Sequence, residues 1–175
     1  MPPPSTPSTV PAIQADAWAR RLEVTGGRGL LAVSDDELAA ALALRADLYA
    51  VLAAVARDER PPATALARVM DAYAEAAAAA RLARDDGPGA APGWRLDWPA
   101  RDPRRVRFAV AADAIALLGD PARVPRLRRC PGRDCGWLFL DTSGRRRWCS
   151  MGACGSREKM RRMYARRRSA TSQEP

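Results

Sequence analysis

The sequence predicts a predominantly helical α+β protein: a helical domain carrying one short strand, followed by a small treble-clef-like C-terminal finger. Three observations lead there. Apolar residues make up 47% of the 175 residues and aromatic residues only 6%, with alanine, the best helix former, supplying much of the apolar share. Apolar positions recur at helical spacing in long stretches between residues 34 and 118. All four cysteines fall between residues 130 and 154, after that pattern has ended.

The elements follow in order. Residues 1–11 are rich in Pro, Ser and Thr, a composition that predicts a disordered tail. A short helix is expected around Ile13, Trp18 and Leu22, ending at the loop "TGGRG". Ser34 opens "SDDE", a capping box in which the hydroxyl accepts from the Glu37 N–H and the Glu37 carboxylate reaches back. The helix it starts carries Leu44, Leu48, Val51 and Val55 on one face and stops before Pro61-Pro62. A second helix is expected from Thr64 to Arg84, with Leu66, Val69, Tyr73, Ala76 and Ala80 facing inward; the short link makes the two an antiparallel pair. "DDGPGAAPG" reads as a loop. "WRLDW" then alternates, with Trp94, Leu96 and Trp98 on one side and Arg95 and Asp97 on the other, which predicts a strand. Asp102 and Pro103 look like an N-cap and first helical residue. The helix they begin has Phe108, Ala111, Ile115 and Leu118 on one face and Val106, Val110 and Leu117 on another. Two apolar faces make it the most buried helix, with Asp113 at its rim.

Charge is segregated. Residues 1–100 hold 10 basic and 13 acidic side chains, net −3, and residues 101–175 hold 19 and 7, net +12. An arginine-rich composition raises the cation count but does not separate the signs, so the second half is expected to meet a polyanion. The opening "MPPPSTPSTVP" lacks the charged and apolar regions of a signal peptide. No run approaches the roughly 20 apolar residues that span a bilayer. A cytoplasmic, nucleoid-associated protein with no membrane partner is expected.

The cysteines stand as Cys130-x4-Cys135-x13-Cys149-x4-Cys154. Disulfides fit poorly with a cytoplasmic location. A nucleophilic thiol wants a neighbouring base, usually histidine, and the chain has no histidine. A structural zinc site takes four soft ligands, paired so that two short loops converge, and four cysteines are present. One structural Zn2+ held by all four is the reading that fits. "CPGRDC" forms a tight loop, and "WLFLDTSGRRRWC" reads as a hairpin turning at "TSG". "GSREKMRRMYARRR" reads as a helix with Ser156 as its cap and Met160, Met163 and Tyr164 on one face. Trp137, Phe139 and Trp148 are expected to form the finger's small core. So small a segment needs the metal to fold.

The stretch "CGWLFLDTSGRRRWCSMGACGSREK" closely resembles the CGNR zinc finger, over about residues 126–168. The family's tetrad is Cys154-Gly155-Ser156-Arg157 here, with serine in place of asparagine, and the loop from Ser143 to Trp148 is shorter. In that family the finger follows an ABATE domain, which residues 34–118 resemble in their helix pair, W-x-L-x-W strand and following helix. The resemblance implies a tail over 1–11, a helical ABATE-like domain over 12–122, a finger over 123–168 and a tail over 169–175. It also implies a stress-induced transcription regulator.

Residues 123–168 carry 15 basic side chains against Asp134, Asp141 and Glu158. Arg133 offsets the charge of the thiolates. Arg145, Arg146 and Arg147 at the turn, and Arg157, Lys159, Arg161, Arg162, Arg166, Arg167 and Arg168 along the helix, are the candidate nucleic-acid contacts. The reading is a zinc-dependent protein that binds double-stranded DNA, compatible with a homodimer and with a small-molecule effector bound by the first domain. The alternatives are a zinc-stabilised protein-interaction module and a sequence-independent RNA-binding module. The residues do not suggest an enzyme: four thiolates leave the metal no open position, and no glycine-rich phosphate loop or carboxylate pair is visible.

Overall fold

The computed structural model describes residues 33–84 and 93–171, with side chains through residue 168. The tail over 1–11, the helix around Ile13, Trp18 and Leu22, the "TGGRG" loop, most of "DDGPGAAPG" and the chain after residue 171 lie outside the described residues. The elements are α1 (Asp35–Val55), α2 (Ala63–Ala79), β1 (Arg81–Arg84), β2 (Trp94–Asp97), α3 (Arg105–Leu118), a 3-10 turn (Val124–Arg126), β3 (Leu127–Arg129), β4 (Leu138–Leu140), a π turn (Met151–Gly155) and α4 (Ser156–Thr171). The predominantly helical α+β class is as expected. Two compact units result: among the described residues, one takes 33–46 and 67–115, and the other takes 47–66 and everything from 116.

α1 begins as its sequence dictates. The Ser34 hydroxyl accepts from the Glu37 N–H at 3.2 Å, and Asp35, Asp36 and Glu37 lie at the helix's positive end. The second half of the expected box is replaced: the Glu37 carboxylate takes the Arg107 guanidinium at 2.9 Å. At the other end Asp58 adopts a left-handed φ of 57°, and the Glu59 N–H reaches the Ala54 carbonyl, a Schellman-type close. By length and composition α1 is apolar enough to cross a membrane. However, Arg45 and Asp47 interrupt it and Leu44, Leu48 and Val51 are buried, as in the core helix of a folded domain.

α2 is shorter than its alanine content suggests. It ends at Ala79, and Arg81–Arg84 form a strand paired antiparallel with Trp94–Asp97 (Leu82 opposite Leu96, Arg84 opposite Trp94). The physical reason lies 22 residues downstream. The Trp98 indole N–H donates to the Ala76 carbonyl at 2.8 Å, while the Ala80 N–H turns to Ala77. An orphan carbonyl of the last turn is thereby satisfied from outside the helix. The alternation of "WRLDW" is real but its apolar side is not buried: Trp94 is 71% exposed and Leu96 38%, and only Trp98, beyond the strand, is buried.

In the first unit Ala76, Trp98 and Phe108 form one buried cluster, with Ala79, Ala80, Ala109 and Ala112 packed around them. α3 starts two residues later than expected, after a turn in which the Asp102 carboxylate accepts the Arg104 N–H at 2.9 Å. Phe108, Ala111 and Ala114 are its buried residues, whereas Val110 on the second expected face is exposed. Asp113 is exposed, at the rim. Arg104 and Arg107 lie 4.9 and 5.1 Å over the Phe108 ring. Arg107 then joins Glu37 and Glu75 at 2.9 and 2.7 Å, its own side chain only 10% exposed. One guanidinium thus ties the starts of α1 and α3 to the middle of α2.

Arg107 holds the Glu75 carboxyl below its usual 4.5, and Arg104 holds Asp102 below 3.8. The unfolded chain therefore takes up protons first as pH falls, so the stability these pairs add is complete above about pH 5 and is lost on acidification below it. Arg107→Met leaves the nearly buried Glu37 without its cation and is expected to cost about 3 kcal/mol. Thermal unfolding between pH 7 and pH 3 checks both: the melting temperature should fall with acid in the parent and fall less steeply in the variant.

Candidate metal centre

The centre is built on a β-hairpin other than the one the sequence suggests. β4 pairs with β3, with Leu127 opposite Leu140 and Arg129 opposite Leu138; residues 145–148 are not a strand. The short β3 is unreadable in sequence because "LRR" is not a pattern of any period. The Cys130 N–H to Trp137 carbonyl bond of 2.9 Å closes the ladder, and "CPGRDC" loops out from it. The Cys135 N–H turns back to Gly132 at 3.0 Å, with Asp134 in a left-handed φ of 58°. Gly132 leaves room for the second pair: a Cβ there would lie 3.2 Å from the Cys154 Sγ.

The second pair is brought round by Asp141, a residue that sequence reasoning misses. It is buried, and one carboxylate oxygen accepts from the Ser143 hydroxyl at 3.0 Å and the Arg146 N–H at 3.1 Å. Burial alone would raise its pKa, but these donors and the nearby Ser143 and Gly144 amides hold it below the usual range. Gly144, at φ 70°, makes the turn. An Asp followed two residues on by Ser is a turn signature that would have marked it. Arg146 folds inward, donating to the Trp148 carbonyl at 3.0 Å and to the Cys149 carbonyl, with its guanidinium 4.8 Å over the Phe139 ring. Ser150 then caps the π turn by accepting the Ala153 N–H at 3.3 Å. Ser156, expected as the cap, is instead in helical geometry and donates its hydroxyl to the Met151 carbonyl at 3.0 Å.

All four sulfurs lie within 4.8 Å of one another. The Cys135–Cys149 and Cys149–Cys154 separations are 3.7 and 3.6 Å. Zinc–sulfur bonds of about 2.3 Å at tetrahedral angles put sulfurs about 3.8 Å apart, so the donor set fits one structural zinc and the four thiols are free of disulfides. Backbone donors support the charge: the Cys149 N–H points at the Cys130 Sγ, 3.5 Å away. Burial would raise the Cys130 thiol, but the Cys149 and Gly132 amides bring it down to about 7. Burial and the surrounding sulfurs push Cys149 up to about 12. Four thiolates this close need a cation, and zinc supplies the positive charge that lets all of them ionise. Cys130, Cys154 and Phe139 form the finger's core with the half-buried Cys135, Cys149 and Trp148. Trp137, expected there, is 68% exposed.

The ten cations singled out by sequence spread over this scaffold. Arg145, Arg146 and Arg147 are all exposed, with Arg146 bonded to two carbonyls as described and Arg147 5.4 Å over the Trp148 ring. On α4, Arg161 and Arg162 both reach Glu158, at 3.6 and 3.2 Å. Arg157, Lys159, Arg166, Arg167 and Arg168 are exposed.

Two family models match the chain: the CGNR zinc finger over residues 126–167, and ABATE, described as "Putative stress-induced transcription regulator", over residues 12–121. No curated protein matches it.

Metal analysis is expected to return one zinc per chain, and Cys149→Ser almost none, with loss of the ordered tryptophan signal in near-UV circular dichroism. Zinc affinity should fall as pH drops from about 8 to about 5, because protons compete for thiolates. Stoichiometric zinc in Cys149→Ser would refute the ligand set.

Proposed function

We propose that this chain, which belongs to the ABATE family and ends in a CGNR zinc finger, is a cytoplasmic transcription regulator that binds double-stranded DNA through that finger. The finger is read as residues 123–168 and the ABATE domain as 12–122. The observation that carries the reading is the finger's excess of positive charge: 15 basic side chains against three acidic ones, with Asp141 and Glu158 already engaged inside the finger. Compensating the metal site does not use up so many cations.

α4 supplies the shape. A helix advances 100° per residue, so Arg157, Arg161 and Arg168 fall on one stripe. That stripe suits a helix lying in the major groove, where a guanidinium can take the O6 and N7 of guanine together. Arg157, in the first turn, is assigned to a base edge, and Arg168 to a phosphate. Arg145 reaches the backbone from the loop, while Arg146 holds the loop in place. The four cysteines are the metal ligands, and their role is structural, since a site of four thiolates keeps no position open for a substrate. The exposed Trp137 favours a second reading, base stacking with single-stranded RNA.

Selection of the zinc-loaded chain against random duplexes, followed by fluorescence anisotropy, tests this. A defined motif is expected. Arg157→Ala should cost about 1–3 kcal/mol and relax one position of that motif, and Arg168→Ala should reduce the salt slope by about one. Equal binding of duplexes and single-stranded RNA, lost in Trp137→Ala, would move the RNA reading ahead.

A further inference from the structure

Beside α4 runs a groove of about 600 Å³ lined by Trp148, Met151, Met160 and Met163 and by cations, Lys159 and Arg166 among them, that outnumber its one acid, Glu158. It depends on residue 155 being glycine. A Cβ there would stand 2.9 Å from the Met151 Sδ and 3.3 Å from the Trp148 Cδ1, so any side chain would push the lining outward. By the 100° step Lys159, Met163 and Arg166 lie on the side of α4 opposite Arg157, Arg161 and Arg168. One helix cannot present both sides to one DNA groove.

A flexible, methionine-lined hollow suits an apolar helix face, and its cations ask for acid beside that face. The first two turns of α1 have this chemistry. Leu38 and Leu42, one turn apart, are 49% and 51% exposed, and the exposed Asp35 and Asp36 adjoin them. The β1–β2 hairpin also exposes Leu82 and Trp94, but they are bordered by Arg81, Arg84 and Arg95, the same sign as the groove. We propose that the groove of one copy receives the Asp35–Leu42 turns of a second copy, and the reverse, giving a closed dimer. Because donor and acceptor are different surfaces, reciprocal exchange is what closes the assembly at two copies. The proposal does not rest on DNA binding.

Sedimentation velocity of the full-length, zinc-loaded chain without DNA tests it. The 18.9 kDa chain should form a concentration-dependent dimer at low salt that dissociates as salt screens the acid–base contact. Leu42→Arg and Arg166→Glu, with zinc content and helical circular dichroism retained, should each weaken the dimer by about tenfold or more. Mixing the two variants should give more dimer than either alone, since one intact contact is restored. A parent that stays monomeric, or a dimer that neither substitution weakens, overturns the proposal. So does a monomer in which Arg166→Glu abolishes duplex binding and Leu42→Arg does not, an outcome that hands the groove to DNA.

Discussion

Four sulfurs in mutual contact are the constraint on which the second half of this molecule depends. Thiols packed this way repel one another once ionised, and Cys149 shows it, pushed up to about 12 by burial and its neighbours. The surrounding chain does not relieve that conflict with a base or a disulfide; it prepares for a cation, with amides turned toward Cys130 and small residues where the loops converge. A segment in which, among the described residues, Leu127 and Phe139 are the buried large apolar side chains has too little core to order itself. Metal binding and folding of the finger are therefore expected to be one event. What the finger presents, from the Arg146 clamp to the groove beside α4, would then depend on that event.

The first unit solves a different problem by other means. The cluster around Trp98 and Phe108 is mostly alanine, which lets helices approach closely but gives little burial per residue. Arginine compensates. Arg104 and Arg107 cover the Phe108 ring with their guanidiniums and direct their charge to Asp102, Glu75 and Glu37. The same residue type thus has two fates in one chain. In the first unit these arginines are paired inward with acids, and in the finger acids are too few to pair them. Net charge by half, −3 and +12, is the bulk trace of that difference.

What can be read from the sequence is what is local. The Ser34 cap, the Leu44–Leu48–Val51 face and the paired cysteines each declare themselves within a few residues, and the metal ligands need no third dimension to be suspected. Partners distant in the chain hide the rest. The end of α2 depends on an indole 22 residues away, so the alanine run reads as more helix. The finger hairpin depends on Leu127–Arg129, three residues with no alternation to betray them, so the pattern pairs Phe139 with the wrong side of its turn. Ser156 resembles a cap because it precedes the regular helix; the π turn moves the cap back to Ser150, where the extended φ of −151° lets its hydroxyl face the amides. Arginine is the hardest case: nothing in "GRRRW" distinguishes Arg146, bonded to two carbonyls and stacked on Phe139, from the equally exposed Arg145 beside it.

The two sides of α4 make sense of a helix with more cations than one partner needs. A lone finger with three aligned arginines makes few contacts and would bind weakly, with little sequence content. Under the two proposals, two fingers held by a closed exchange would present the stripe twice, related by a two-fold axis, and affinity would then grow by effective concentration rather than by new contacts. Such an arrangement would read sites with the same symmetry, the half-site separation being fixed by the dimer. The glycine at 155 bears on both proposals, since it sits within the turn that carries Cys154 and leaves room for Met151 and Trp148 to line the groove. Loss of zinc would then undo assembly and DNA contact together, which under both proposals would make the thiol cluster the point where metal removal acts on the finger.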